Sequence, residues 1–449
     1  MSDSKTPNIL FLMDDQHRFD VAGFMGNPVV RTPTLDRLAA DAVVFDNAYT
    51  PSPICVPGRQ CIMSGQLPTT NGCRRYGDDL PPFYATFARQ LSLAGYQTVC
   101  AGKLHHQGPD QMQGWTQRIG MDQHIEPEYL GEAAAARHHA HNRGKTISWD
   151  LRKELTMAGA GTNPFKVNDD YSVQGTLNFI RERFCGTWYD RVDHRPLLLK
   201  VSLQCPHYPF ICTEEKFSYY INRVTPYPKR EGIIDHPFAK DWTHSPAVSP
   251  REVRRALAAY YGMVEEVDGA FGTILAALAH AGQDLDDWII VYTTDHGEML
   301  GEFDTWWKLK FYEGSVRVPL FIRAPKRFGA RRVAQNVSLC DLYATLCELG
   351  QAEIPDDRDS RSLRPLMDGN ASAWPDTAVS VYMDHLMLKD GPWKYGHLAP
   401  DTEFLFNLTD DPHEEHNLAH EVVHRKRMED FRVRRKELIH PPSGSNGIP

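Results

Sequence analysis

The chain has 449 residues, 41% hydrophobic and 24% charged, the balance of a globular protein with room for one large α/β domain and an appendage. Its net charge of -9 argues against a nucleic-acid partner, which calls for a basic surplus, but leaves room for a local basic pocket around a small anion. Nine cysteines, an odd number without CxxC spacing, argue against a zinc cage and against a disulfide framework.

The N-terminus shows no basic region followed by an apolar core and a cleavage site. The apolar run Ile9–Met13 is too short for a signal peptide or a span. No other stretch approaches about 18 apolar residues, so the expected setting is cytoplasmic, with no membrane partner. Short apolar runs at Asn8–Met13, Gln97–Ala101, Leu197–Leu203, Trp288–Thr293 and Leu320–Arg323 predict buried strands. Thr34–Ala42 after Pro33, Phe83–Ala94 before Gly95, and amphipathic Pro250–Ala281 before Gly282 predict helices. This alternation predicts an α/β fold, a large sheet flanked by helices on both faces.

The segment Gln107–Asp169, rich in Gly, His, Gln and Arg, reads as loops over the sheet. Its His138, His139 and His141 lack carboxylates at ligand spacing and read as solvated surface. From about Thr377 the pattern changes. Val379–Met383, Trp393–His397 and Glu403–Phe406 predict short antiparallel strands, with a helix near Glu421–Leu438. The expected division is an α/β domain over 1–375 and a small C-terminal α+β subdomain with a flexible tail over 376–449.

Three acidic or nucleophilic elements fall at informative places. Asp14 and Asp15 follow the first predicted strand, and ligands in open α/β sheets bind beyond the carboxyl ends of strands. Adjacent carboxylates repel unless a cation compensates, although a helix-capping turn explains the pair equally well. Asp295 and His296 follow the strand WIIVY in the same way. If both strands are central and parallel, the four side chains converge on one divalent cation. Oxygen ligands suit Mg, Ca or Mn, and the imidazole shifts the preference toward Mn. Cys55, with Arg59 four residues on, fits an activated thiolate; alone it reads first as a buried structural thiol.

PNILFLMDDQ, TPTLDRLAADAVVFDNAYTPSPICVPGRQCIMSGQLP and GYQTVCAGKLHH follow one another in an order that resembles the sulfatase family, and CVPGR matches its C-x-P-x-R signature. TTDHGEMLG, WWKLKFYEGSVRVPLFI and LFNLTDDPHEEHNLA extend the resemblance over nearly the whole chain. It implies an alkaline-phosphatase-like fold and a formylglycine made from Cys55, whose hydrate is the nucleophile. One oxygen of that gem-diol takes the sulfuryl group and the other collapses to the aldehyde, expelling sulfate. The resemblance further implies Asp14, Asp15, Asp295 and His296 as ligands of one Ca or Mn ion, with Mg admissible. Arg59 would hold the hydrate, and Lys103 and His105 would contact nucleophile and anion. His207 would stand near the leaving group. Lys308, five residues before Glu313, matches the anion-binding lysine better than Lys310 does.

Two positions depart from the usual pattern. His296 stands where calcium-type members carry Asn, and resembles phosphonate monoester hydrolases and choline-sulfatase-like members. Val56 and Gly58 are unusual neighbours for a modified cysteine. His17 and His106 read as neutral neighbours, and Arg74 and Arg75 as a solvated turn. The expected function is hydrolysis of sulfate monoesters, with a small organic sulfate or sulfated sugar as substrate and a formylglycine-generating maturation enzyme as partner. The rivals are a phosphonate or phosphate ester hydrolase on the same scaffold and a non-catalytic sulfatase-like binding protein. The oligomeric state is open, a homo-oligomer included.

Overall fold

The computed structural model of the chain describes residues 6–120, 151–186, 194–228 and 248–439; His138, His139 and His141 lie outside them. Strand β1 (Ile9–Asp14) is apolar until its last residue, and all six positions are buried. A strand of this kind has to be covered on both faces. It lies in the middle of the main sheet, whose other strands are β2 (Val43–Tyr49), β3 (Gln97–Gly102), β4 (Gln117–Ile119), β6 (Leu197–Ser202), β8 (Ile289–Thr294), β10 (Leu320–Arg323) and β11 (Arg331–Ser338). The order is β11-β2-β10-β8-β1-β6-β3-β4, with the two-residue β9 (Arg317–Val318) added to β2. From β8 to β4 every pairing is parallel, and β10 runs antiparallel to both its neighbours. A separate short pair joins β5 (Gly159–Ala160) to β7 (Ile211–Cys212).

Alternation along β1 divides its side chains between two cores. Leu10 and Leu12 enter the core under the long helix Pro250–His280; Ile9, Phe11 and Met13 enter the opposite core with Phe87, Leu91, Leu342 and Leu346. Each such burial contributes about 1.5–3 kcal/mol. The long helix starts at a capping box, Ser249 and Glu252 satisfying each other's backbone N–H groups.

All five strands predicted before Thr377 are present. The predicted helix Phe83–Ala94 begins only at Phe87, because the Thr86 side chain caps it by accepting from Arg89 N, while Phe83 is left-handed at φ 64°. Two longer strands of the main sheet were not predicted: β2, interrupted by Asp46 and Asn47, and β11, a polar edge strand. The described part of Gln107–Asp169 is also more than loops. It holds β4, a helix at Leu151–Met157, β5 and the start of the helix Pro164–Phe184.

A second sheet, wholly antiparallel, runs β12 (Thr377–Tyr382), β13 (His385–Asp390), β14 (Trp393–Leu398) and β15 (Thr402–Asn407). Met428 and Phe431 of the helix Arg425–Ile439 pack on one face, against Val381, Leu388 and Tyr395. Met387, Phe404 and Phe406 pack the other face onto Tyr49 of β2 and onto Phe311 and Tyr312.

Beside that seam the Lys394 ammonium lies between Glu313 (2.9 Å) and Glu414 (2.6 Å). Lys389 of β13 is almost as buried but has no ion pair among the described residues, and burial, against the pull of Glu313, brings its pKa down to about 8. In the unfolded chain it titrates at about 10.4. Folding therefore carries the full penalty of a buried charge below about pH 8, and the penalty lifts as pH rises toward about 10.4. Lys389→Met is expected to raise stability by about 1–3 kcal/mol at pH 6. Urea unfolding at pH 6 and pH 10 checks this; an equal gain at both would remove charge as the cause.

Candidate active site

The carboxyl ends of the parallel strands deliver most of the candidate residues to one place. Asp14 ends β1 and Asp15 follows it; Asp295 and His296 follow β8; Lys103 follows β3; and the loop after β6 carries His207. Gly102 turns the chain into that site at φ 85°, where a Cβ would stand 2.2 Å from the Ser202 carbonyl oxygen. Gly297 lets the next segment approach, since a Cβ there would meet the Gly314 carbonyl at 2.0 Å.

Cys55 is the first residue of the helix Cys55–Ser64, so it sits at the helix end that favours negative charge. Its Sγ is 3.1 Å from His296 Nε2, 3.2 Å from Lys308 Nζ and 3.7 Å from Asp15 Oδ1. Burial and Asp15 raise the thiol pKa, but Lys103, Lys308 and His296 outweigh them, and the net shift is downward. Arg59 lies one turn along the same helix, the spacing that puts two side chains on one face. Its Nε donates to Asp295 Oδ2 (2.7 Å) and its Nη2 to Asp15 Oδ2 (2.9 Å), while Nη1 donates to the Lys103 carbonyl and to Ser202 Oγ, both at 2.9 Å. The Lys103 ammonium also meets Asp15 Oδ2, at 2.7 Å. Burial would raise the pKa of Asp15; Lys103 and Arg59 together hold it well below the usual carboxylate range.

Four of these residues present a metal-ligand set. Donor atoms of Asp15, Cys55, Asp295 and His296 all lie within 4.8 Å of one another. Asp14 stands just outside that group. Its Oδ2 accepts from Tyr292 OH (3.0 Å) and from His17 Nδ1 (2.7 Å), while Oδ1 is buried with no hydrogen-bond partner. An orphaned carboxylate oxygen beside such a set fits a cation. His17 is more than a neighbour, because both its nitrogens face oxygens, Asp14 Oδ2 and Val21 O. Burial lowers its pKa, but Asp14 outweighs that and raises it.

Lys308 and His207 form the opposite wall. Lys308 Nζ is 2.8 Å from His207 Nε2, and His207 Nδ1 is 2.7 Å from the Tyr208 carbonyl. A carbonyl only accepts, so Nδ1 carries the ring proton and Nε2 accepts from the ammonium. Burial and then Lys308 push the His207 pKa well below its ordinary value, so the ring is neutral. Tyr208 stacks on Trp307 at 4.3 Å, and Phe165 meets His207 edge-on. Lys308, not Lys310, is the lysine at Cys55. His105 is left-handed at φ 63° and turns its Nε2 to within 3.4 Å of Tyr76 OH.

Gln16 and Glu298, flanking the two acidic motifs, escaped the sequence reading, as did Ser202 and Tyr292. The letters beside DD and DHG were the available signal: DDQ and DHGE each place a fully buried polar residue within two positions of a candidate ligand.

The sulfatase family profile matches residues 7–352, and that of the C-terminal part of N-sulphoglucosamine sulphohydrolase matches 301–440. The chain belongs to the sulfatase family, the sulfuric ester hydrolases. It is 32% identical to a choline-sulfatase of Rhizobium meliloti over 92% of this chain and 82% of that one. It is 27% identical to an arylsulfatase of Clostridium perfringens, covering 95% and 93%. The phosphonate monoester hydrolase of Agrobacterium radiobacter shares the fold, with a TM-score of 0.74, 21% identity, and coverage of 96% and 95%. So does a protein solved with its substrate D-glucosamine-2-N,6-O-disulfate, with a TM-score of 0.77, 19% identity, and coverage of 99% and 100%. No helix among the described residues is long and apolar enough to cross a membrane.

Proposed function

We propose that the enzyme hydrolyses sulfate monoesters of small organic alcohols or sugars, using a formylglycine made from Cys55 and one divalent cation, calcium or manganese with magnesium admissible. The observation that carries this reading is the position of Cys55 at a helix amino end, within 3.2 Å of both Lys308 and His296 and beside Asp15.

Asp14, Asp15, Asp295 and His296 would hold the cation, with the modified residue 55 facing it. Once hydrated, the aldehyde supplies a hydroxyl nucleophile, and the cation favours its ionised form and adds positive charge. The remaining work falls to the chain's own groups. Arg59 ties Asp15 to Asp295 and fixes the spacing of the acidic set. Lys103 balances Asp15, so the site accepts an anion. Lys308 directs an ammonium N–H at the sulfuryl oxygens, where charge develops in the transition state. His207 would serve as the acid from Nε2, which takes a proton from Lys308 at 2.8 Å and can give it to the leaving oxygen only after turning from Lys308, since Nδ1 stays on the Tyr208 carbonyl. His105 contacts the anion from the rim beside Tyr76.

None of the nine cysteines stands in a disulfide, which suits a reducing, cytoplasmic setting. Cys55 is only 2% exposed, which supports a maturation enzyme that acts before folding is complete. Matured protein should show a loss of about 18 Da at the Cys55 peptide in mass spectrometry, thiol exchanged for aldehyde. A fully active preparation carrying only cysteine there would end the formylglycine reading. A panel of sulfate, phosphate and phosphonate monoesters at fixed metal tests the substrate class. The sulfates should be turned over at least about tenfold faster, and a phosphonate preference, consistent with His296, would reverse the assignment.

A further inference from the structure

We infer that Gln16 and Glu298 are positioning residues that hold Lys308 in its working place, with Glu298 deciding which way the Gln16 amide points. The inference rests on Lys308 as the anion-binding group of the proposed sulfatase site.

The three N–H groups of Lys308 face three acceptors: Gln16 Oε1 at 2.7 Å, His207 Nε2 at 2.8 Å and Cys55 Sγ at 3.2 Å. Two of them anchor the ammonium, and the third direction is where a substrate anion would lie. A primary amide presents an oxygen on one side and an NH2 on the other, and only the oxygen suits an ammonium. Glu298 makes that choice. Its Oε2 accepts from Gln16 Nε2, so Gln16 Oε1 has to face Lys308.

Glu298 cannot turn away, because its Oε1 already accepts from two backbone groups, Leu300 N (2.9 Å) and Trp307 N (2.6 Å). Trp307 precedes Lys308, and both Trp307 and Leu309 are left-handed, at φ 65° and 66°. Residues held in that conformation need support from their surroundings. It comes on one side from Glu298 and on the other from the Pro53 carbonyl, which accepts from Leu309 N at 3.0 Å. One buried carboxylate thus anchors the backbone of Lys308 and, through Gln16, its ammonium.

The geometry permits an exchange test. In Glu298→Gln the new amide keeps its oxygen on the two backbone N–H groups, and its NH2 takes the place of Oε2. It then meets the Gln16 NH2, Gln16 flips, and a donor faces Lys308. In the double variant Gln16→Glu/Glu298→Gln, the amide introduced at position 298 donates to the carboxylate introduced at position 16. That carboxylate also accepts from Lys308, so the chain of hydrogen bonds is rebuilt with the charge moved one step.

The matured full-length enzyme is assayed on 4-nitrophenyl sulfate, and inorganic sulfate is titrated calorimetrically as a probe that needs no turnover. Glu298→Gln should lower kcat/KM about 10- to 100-fold and weaken sulfate binding. Gln16→Glu alone sets two carboxylates together and should be impaired as well. The double variant should recover at least about tenfold of the loss in both readouts. Glu298→Gln within twofold of wild type, or a double variant no better than Glu298→Gln, would overturn the clamp. If Glu298→Gln does not fold, Gln16→Leu decides. It leaves the Glu298 backbone bonds in place and removes only the acceptor of Lys308, so unchanged sulfate affinity would overturn the inference. A wild type that binds sulfate with this dependence on Gln16 but cleaves no sulfate ester would refute the sulfatase reading and leave the clamp standing.

Discussion

Asp295→Asn is expected to lose at least about a thousandfold in kcat/KM and to fall from one bound metal ion per chain to nearly none, while the sheet stays folded. The reason lies in what surrounds the carboxylate. Oδ2 accepts from Arg59 Nε at 2.7 Å, and Oδ1 accepts from the backbone N–H groups of Gln16 (3.1 Å) and His296 (3.0 Å). Every one of these neighbours is a donor, so an amide of the same size turns its NH2 toward a donor on one side or the other. Arg59 also loses one of its two ionic partners. On the proposed reading the carboxylate is both a metal ligand and the residue that aligns the arginine with the acidic set. Elemental analysis alongside kinetics separates the two parts. An Asn variant that kept its metal and its rate would sink the site assignment.

The second large effect concerns the leaving group. His207→Ala should cost alkyl sulfates about a hundred- to a thousandfold in kcat/KM and activated aryl sulfates less than about tenfold. A nitrophenolate leaves without a proton, whereas an alkoxide does not. The ring is neutral and its Nε2 accepts from Lys308, so on the proposed reading the pair, and not the imidazole alone, would supply the proton. Lys308→Ala removes both the stored proton and the charge on the anion, so it should damage both substrate classes and damage alkyl sulfates more. The measurement is a series of leaving groups of graded pKa for each variant. Parallel losses across the series for His207→Ala would make it a residue that only orients the substrate.

Much of the fold was legible because buried parallel strands announce themselves as short apolar runs. β1, β6 and β8 are of that kind, and their ends located Asp14, Asp15, Asp295 and His296. Strands rich in polar residues were not legible: β11 opens on Arg331 and Arg332 and carries Gln335 and Asn336 in its middle, and β13 was hidden between its neighbours in the small sheet. The helix Pro164–Phe184 was missed because only a few of its residues are buried, although Asn163 and Pro164 form a sound start signal. Within the site, spacing favoured Lys308 over Lys310, and the geometry places Lys308 at Cys55. The roles of Gln16, His17 and Glu298 were not legible for a different reason. A polar residue beside a ligand shows no periodicity, and its importance comes from partners up to 292 positions away.

The order of strands in the main sheet also sets a clock. β1 emerges among the first residues made, yet it lies between β6 and β8, whose last residue is Thr294. Cys55 leaves the ribosome about 240 residues before Asp295 and His296, the groups that enclose it. At roughly 5–20 residues per second, that leaves an interval on the order of 10 to 50 seconds during which the cysteine is part of an unfinished chain. In the finished protein the thiol is sealed, so if Cys55 is converted as proposed, the conversion has to be completed within that interval or during a later unfolding excursion. Faster translation would shorten the interval, and on the formylglycine reading the fraction of each batch carrying the aldehyde would then record how quickly the chain was made.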